Sequence, residues 1–278
     1  ADFERFMQGW TPGPRKLTEH SDATTERAID AIADALVSAA RDACLAAGRF
    51  IQANAGKVHE VNSKGLEGRA SDVVTAVDLQ AQAIILEALE ETTRRYELGV
   101  LAEEGIQDES RLDKHAFWTI DPLDGTQYFI DGVPGYATSI ALVSREGRPI
   151  VGVVYDPVSG DLYEAVLGRG VRRNGQLITR PETQEPGIRP QVWFADRSLP
   201  SYPYFEGVQA HFEVRYLGGA VLNALGVLSE PGSVYAKAPK AARSGCAIWD
   251  LAAVALMVEE QGGGVMAFDG STLNLNPP

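Results

Sequence analysis

The chain has little of what several common kinds of site require. Its 278 residues include only two cysteines and four histidines. Cys44 and Cys246 match no metal-binding or redox spacing, so we interpret them as reduced, mostly buried thiols. None of the histidines lies near a motif, which disfavours a histidine-based mechanism.

Long apolar runs and excess positive charge are also missing. No apolar stretch approaches the roughly 18 residues that a membrane span needs. Residues 1–10 lack the basic and apolar regions of a signal peptide, so we expect a cytoplasmic protein with no membrane partner. The net charge of −13 argues against binding to nucleic acid, which needs a basic face. A small anionic ligand remains compatible with this charge, because a bound metal ion reverses the local field.

The first part of the chain has the pattern of two helices and a sheet. Residues 24–54 and the stretch from Asp78 to about residue 98 have the apolar spacing of amphipathic helices. The short β-branched run at 73–77 indicates a strand end or a turn, and the segments at 100–105 and 116–120 indicate strands. From residue 137 to 178, closely spaced strand patterns and an Asn-Gly turn predict an antiparallel sheet.

The order of elements changes after residues 180–190, RPETQEPGIRP, which are rich in proline and charge and favour an inter-domain connection. Beyond it strands and helices alternate, which suggests an α/β layer. The predicted strands are QVWFA, HFEVRYL, SVYAK and GGVMAF, and the predicted helices are GGAVLNALGVL and DLAAVALMVEE. We therefore predict an α+β domain over 1–184, an α/β domain over 185–278, and a ligand-binding cleft between them.

Carboxylates stand at the ends of regular elements in four separate segments. They are TAVD ending at Asp78, AEEG with Glu103 and Glu104, IDPLDGT with Asp121 and Asp124, and IWD ending at Asp250. Each has an ordinary explanation when taken alone. An acid before an apolar helix is favoured as a helix cap, and acids before glycine or proline are common in turns.

The segment from Asp121 to Thr126 is harder to explain as a turn alone. Pro122 fixes its own φ and restricts Asp121, and Gly125 permits close backbone approach. Thr126 then opens a predicted helix whose first N–H groups have no intrahelical partner. Mg²⁺ prefers carboxylate and substrate oxygens, and free N–H groups bind phosphate oxygens. The pattern therefore predicts a site that holds metal and phosphate side by side.

At these residues the sequence resembles the inositol monophosphatase superfamily of Mg²⁺-dependent, lithium-sensitive phosphatases. The matching segments are VVTAVD, AEEG, WTIDPLDGTQYF and IWDLAAVALMVEEQGG, in the family's order. The resemblance implies a layered α/β/α/β/α sandwich of the inositol monophosphatase and fructose-1,6-bisphosphatase type. It also implies a homodimer that uses two or three Mg²⁺ ions to hydrolyse a small phosphorylated substrate.

The resemblance implies a role for each matching residue. Glu103, Asp121 and the carbonyl of Leu123 would bind a first metal, and Asp121, Asp124 and Asp250 a second. Glu103 and Asp78 would help to hold a third through waters. Asp78 and Thr126 would orient the attacking water, and Gly125 and Thr126 would offer backbone N–H groups to the phosphate. Phosphoryl transfer of this kind depends mainly on positioning and charge neutralisation.

Two departures from the family pattern leave the substrate open. The family's lysine before the Val-Thr-x-x-Asp motif has Lys64 or Arg69 as its counterpart here. Arg243 stands where inositol-selective members have glutamate, seven residues before Asp250, and a cation there suits a second anionic group on the substrate. The primary hypothesis is an inositol monophosphatase-like enzyme. The alternatives are a 3′(2′),5′-bisphosphate nucleotidase acting on adenosine 3′,5′-bisphosphate and a catalytically degenerate binding protein.

Overall fold

The computed structural model describes residues 23–55, 61–63, 73–105, 109–179, 191–230, 232–237 and 247–277. Several positions discussed above lie outside the described residues: Arg243, Lys64, Arg69, Cys246 and the proposed connection at 180–190. The division into domains at residue 184 therefore stays a prediction. Among the described residues, no helix has the length and apolar character needed to cross a membrane.

Two helices and a large sheet build the first half of the chain. Helix α1 is Ala23–Asn54, and after the short strands β1 (Val61–Ser63) and β2 (Val73–Thr75) comes α2 (Ala76–Arg95). Both helices were predicted from their apolar spacing. The sheet has seven strands in the order β3 to β9. Their bounds are β3 Gly99–Ala102, β4 Ala116–Asp124, β5 Ala137–Ser144, β6 Pro149–Asp156, β7 Asp161–Val166, β8 Val171–Arg173 and β9 Gln176–Leu177.

Most pairs in this sheet are antiparallel, as predicted, but β3 pairs with β4 in parallel. Helix α3 (Ser110–Asp113) lies in the connection between these two strands, and α4 (Thr126–Ile130) follows β4 directly. The predicted Asn-Gly turn joins β8 to β9, with positive φ at both Asn174 and Gly175.

The second half carries a three-stranded parallel sheet in the order β11-β10-β12. Its strands are β10 Val192–Phe194, β11 Glu213–Arg215 and β12 Ser233–Tyr235, and its helices are α5 Phe205–His211, α6 Ala220–Ser229 and α7 Ile248–Glu260. A short 3₁₀ helix spans Leu199–Ser201. Because parallel strands end at one edge, the segments that follow β10, β11 and β12 meet on the same side of this sheet.

The predicted strands of this half are shorter than expected, and one of them was wrong. The segment HFEVRYL is a strand only over β11, because His211 closes helix α5. The segment GGVMAF forms no strand, and its Met266 makes only an isolated bridge to Thr272. Met266 and Phe268 are 64% and 69% exposed, so no neighbouring sheet covers their side chains.

The layers follow from the alternation of side chains along the strands. Trp118, Ile120 and their counterparts on β5 and β6 pack against α1 and α2. Phe117 and the residues on the opposite face pack against α6 and α7. Helix α6 in turn contacts β10 and β12, and α5 covers the outer side of β10 and β11. This α/β/α/β/α order confirms the predicted fold class.

Candidate metal and phosphate site

The centre of the site lies where β4 stops pairing regularly with β5. The strand was expected to end at Asp121, but it continues to Asp124, with an irregular register between these two residues. Pro122 lies in this irregular stretch, where its missing N–H costs no regular ladder bond. The Pro122 carbonyl accepts a hydrogen bond of 2.9 Å from the Thr138 hydroxyl. Because of this irregular register, the carboxylates of Asp121 and Asp124 lie close together.

Three carboxylates from two distant segments converge there. Asp121, Asp124 and Asp250 each offer an oxygen, and these atoms all lie within 4.8 Å of one another. Asp250 occupies the first turn of α7 and accepts a hydrogen bond of 3.0 Å from the Ala247 N–H. The helix-cap role considered from the sequence is thus real, and Asp250 belongs to the cluster as well.

Glu103 joins this cluster from the segment after β3. Its carboxyl hydrogen-bonds to Asp121, and its backbone N–H donates to the Ile120 carbonyl at 3.1 Å. Burial raises the pKa of Glu103 to about 8, with added repulsion from Asp250, Asp78 and Glu104. This places Asp78, which is 2% exposed in the first turn of α2, within electrostatic reach of the cluster.

Burial and mutual repulsion act on the other acids too. Burial raises the pKa of Asp121 well above its usual range, and the charges of Glu103, Asp124 and Asp250 raise it further. Burial also raises the pKa of Asp124 to about 7, helped by Asp250 and opposed by Lys237. The protein thus holds several acids together at a cost that an added cation would relieve.

Asp124 has a second task that its sequence position does not reveal. One carboxylate oxygen accepts from the Ala220 N–H at 3.0 Å, and the other accepts from the Val221 N–H at 2.9 Å. These are the first N–H groups of α6, which have no partner inside that helix. Asp124 therefore joins the acidic centre to the start of α6.

The turn after Asp124 has the predicted residues, and a short helix opens at Thr126 as predicted. Gly125 adopts φ of 83°, and a Cβ there would lie 2.5 Å from the Gly135 carbonyl oxygen. The Thr126 hydroxyl donates to the Leu123 carbonyl at 3.0 Å. Helix α4 has only five residues, so any attraction for an anion depends on individual N–H groups more than on a helix dipole.

Sequence reasoning missed Gln82, which fixes the segment that carries Glu103. The Gln82 side chain is buried, accepts from the Glu104 N–H at 2.8 Å and donates to the Glu104 carbonyl. Gln82 lies one turn after Asp78 on α2, so the two face the same side of the helix. The sequence signal that could have identified Gln82 is its position one helical turn after Asp78 on a predicted helix.

A second missed group is the pair Asp196 and Lys237, beside the cluster. Lys237 Nζ lies 3.8 Å from a carboxylate oxygen of Asp196 and 3.9 Å from Asp250 Oδ2. Among the basic residues that precede Asp250, Arg243 and not Lys237 was singled out from the sequence. Arg197, next to Asp196, pairs with Asp131 at 2.7 Å and stacks on the Tyr128 ring, so this loop also contacts α4.

The donor set fits a hard divalent cation. Among the described residues, all the side-chain donors are carboxylate oxygens, which Mg²⁺ and related ions prefer, and no thiol or imidazole joins them. Asp121, Asp124, Asp250 and Glu103 would hold it, with the Leu123 carbonyl beside them. Such an ion, when bound, neutralises phosphate charge and lowers the pKa of water.

A five-layered fold with clustered carboxylates beside a tight Asp-Gly-Thr turn defines a metal-dependent phosphatase class. The chain matches the model of the inositol monophosphatase family over residues 33–277 and belongs to that family. The inositol-1-monophosphatase of Synechocystis is 34% identical over 229 residues, covering 80% of this chain and 75% of the relative. The Nus factor SuhB of Xylella fastidiosa is 32% identical over 207 residues, covering 72% and 70%.

The fold is also similar to solved structures. Inositol monophosphatase-II of Staphylococcus aureus, solved with 2′-AMP bound, is 25% identical with a TM-score of 0.67. That alignment covers 87% of this chain and 86% of the other. The family and fold implied by the sequence motifs are therefore confirmed.

Proposed function

We propose that this chain is a divalent-metal-dependent phosphomonoesterase that hydrolyses a small phosphate ester, with inositol monophosphate as the primary candidate, by direct attack of water. The observation that carries this proposal is the convergence of Asp121, Asp124 and Asp250 within 4.8 Å. Glu103, whose carboxyl hydrogen-bonds to Asp121, adds a fourth acid. Folding brings these acids together although their repulsion opposes it, which is the expected cost of a site built for a cation.

Each side chain then has a defined task. Asp121, Asp124 and Asp250 hold Mg²⁺, and Glu103 extends the site so that two or three ions can bind. Asp78 lies close enough to this group to help hold and orient water at its edge. Thr126 is oriented by its bond to the Leu123 carbonyl, which leaves its hydroxyl oxygen able to accept a hydrogen bond from the same water. Gly125 and Thr126 offer their backbone N–H groups to the phosphate.

Each candidate substrate is supported by a different observation. The name of the Synechocystis relative supports inositol 1-phosphate. The 2′-AMP bound to the Staphylococcus aureus structure supports a nucleotide monophosphate as a further candidate. The name Nus factor SuhB leaves room for a role without catalysis, but this chain retains all the acids that the chemistry needs.

A phosphate-release panel with Mg²⁺ tests the proposal. It compares inositol 1-phosphate, fructose 1,6-bisphosphate, histidinol phosphate, 2′-AMP and adenosine 3′,5′-bisphosphate. We expect release from inositol 1-phosphate to be the fastest, and faster release from adenosine 3′,5′-bisphosphate would favour the nucleotidase. No release from any member, with the metal bound, would favour the binding protein.

Arg243 keeps its proposed role as a contact for a second anionic group, and Arg243→Ala should then slow only bisphosphate substrates. A homodimer stays a prediction from the family resemblance, and a cytoplasmic location stays a prediction from the composition of residues 1–10. Size-exclusion chromatography with light scattering measures the first. A dimer should elute at twice the chain mass of 29.9 kDa.

A further inference from the structure

Lys237 places a positive charge inside the acidic site. It lies two residues past the end of β12, and Asp196 lies two residues past the end of β10. These strands pair in parallel, with Phe194 opposite Tyr235. The register therefore brings Asp196 and Lys237 level with each other at the edge of the sheet that faces Asp250.

The ammonium forms a long ion pair with each of two carboxylates. Its distances are 3.8 Å to Asp196 and 3.9 Å to Asp250. The arginine pairs of Arg41, Arg169, Arg173, Arg197 and Arg215 elsewhere in the described chain have contacts of 2.5 to 2.7 Å. The Lys237 side chain is 22% exposed, so solvent screens its charge only in part.

Asp196 is oriented to hold this charge in place. Its Oδ1 accepts from both the N–H and the hydroxyl of Ser198. The other oxygen, Oδ2, is the one that faces Lys237. The charge of Lys237 also lowers the pKa of Asp124, so its electrostatic effect extends to the centre of the cluster.

We propose that Lys237 is the resident counter-ion of the metal centre, held between Asp196 and Asp250, and that it competes with a divalent cation for Asp250. This inference rests on the proposed function, because it assumes that the acidic centre binds a metal. Two cations attract the same carboxylate and repel each other, so Lys237 stabilises the metal-free protein and weakens metal binding. It is a positioning residue for Asp250.

Three variants test this in the intact chain. Lys237→Met removes the charge and keeps the length, whereas Lys237→Arg keeps the charge. The control is Arg145→Met, which makes the same change in net charge. Arg145 follows β5 at the end opposite Ala137, the residue that pairs with Asp124, so it lies far from the acidic centre.

The measurement is Mg²⁺ binding by isothermal titration calorimetry, together with Tm in chelator. Lys237→Met should lower the Kd for Mg²⁺ by about three- to tenfold, the size expected for one partly screened charge near a divalent ion. It should also lower the metal-free Tm more than Arg145→Met does. Lys237→Arg should bind Mg²⁺ like the wild type. An unchanged or raised Kd in Lys237→Met overturns the inference.

Asp196→Asn tests the same idea in the opposite direction. Losing the charge of Asp196 removes one of the two carboxylates that Lys237 faces and leaves Lys237 more strongly attracted to Asp250, so Mg²⁺ binding should weaken, and this effect should vanish when Lys237→Met is added. An Asp196→Asn effect that persists without the lysine overturns the inference. If the wild-type protein itself bound no Mg²⁺, the proposed function would fail. If the wild type binds Mg²⁺ and Lys237→Met binds it equally well, only the counter-ion inference is overturned and the proposed function stands.

Discussion

Two groups of acids in this molecule are built in opposite ways. In the first, which we call the Arg169 cluster, Arg169 pairs with Asp30 and Asp34 of α1 at 2.6 Å each. Glu260 of α7 accepts from the N–H groups of Gly168 and Gly170 at 2.7 Å. Asp30 and Asp34 are therefore neutralised by an arginine in direct contact.

In the part of the chain that the structure describes, the acidic centre has no comparable supply of positive charge. Asp121, Asp124 and Asp250 share the single ammonium of Lys237 among the described residues, and it lies 3.9 Å from Asp250. The centre is also more buried, since Asp121 is 1% exposed whereas the Asp30 side chain is 47% exposed. Acids neutralised by the chain itself stabilise the fold, and acids left to repel one another in a buried site need a cation from outside.

The largest expected effect comes from Asp121→Asn. The amide keeps an oxygen for the Leu123 N–H, which donates to Asp121 at 3.0 Å, but it loses the charge that binds metal. Turnover should fall by more than about 100-fold, since even residues behind a metal ligand are typically worth 10–100-fold. The Tm in chelator should stay equal or rise, because one repelling charge is gone. A Tm drop of many degrees would mean that Asp121 is a structural acid like those around Arg169.

Asp124→Asn should lose as much activity and, unlike Asp121→Asn, should also lose stability. An amide can accept from only one of the Ala220 and Val221 N–H groups, and its NH₂ would face the other. Losing a helix cap typically costs about 0.5–2 kcal/mol. Urea unfolding in chelator measures this, and a variant more stable than the wild type would show that Asp124 does not support α6.

Gly125→Ala tests whether the backbone conformation of the turn after Asp124 is needed for the geometry of the site. The substitution forces a side chain into left-handed backbone and against the Gly135 carbonyl, so the turn must shift. Activity should fall by about 10–100-fold, as expected for a displacement near 1 Å. Gly160→Ala is the matched control, because Gly160 has φ of 76° and open space around it. Equal activity loss in both would point to general destabilisation.

Asp30→Asn should have the smallest effect. It removes one of two ion pairs of Arg169 on a half-exposed side chain, which is worth about 0–1 kcal/mol. Activity and Mg²⁺ binding should not change. A loss of Mg²⁺ affinity would contradict the separation between the two groups of acids.

The sequence predicted the tight turn and the acids beside it because Asp121 and Asp124 lie close together in one motif, and the structure brings them together with Asp250. Asp121, Asp124 and Gly125 follow one another in a motif whose turn and donors can be read directly. Both long helices were predicted for the same reason, since their apolar spacing continues over many turns.

What the sequence could not predict depends on distant pairing. The capping of α6 by Asp124 joins residues 96 positions apart, and the pair of Asp196 and Lys237 follows from the register of β10 and β12. The parallel pairing of β4 with β3 likewise depends on the topology of the sheet, which local sequence does not specify. GGVMAF was wrong as a strand because β propensity alone does not provide a neighbouring strand.

The most direct test of the central claim is phosphate release across the substrate panel, measured in excess chelator and again after Mg²⁺ is restored. A protein whose buried acids exist to hold a cation should release no phosphate in chelator, recover with Mg²⁺, and fail to recover in Asp121→Asn. Full turnover in chelator, or equal turnover by Asp121→Asn, would contradict the account.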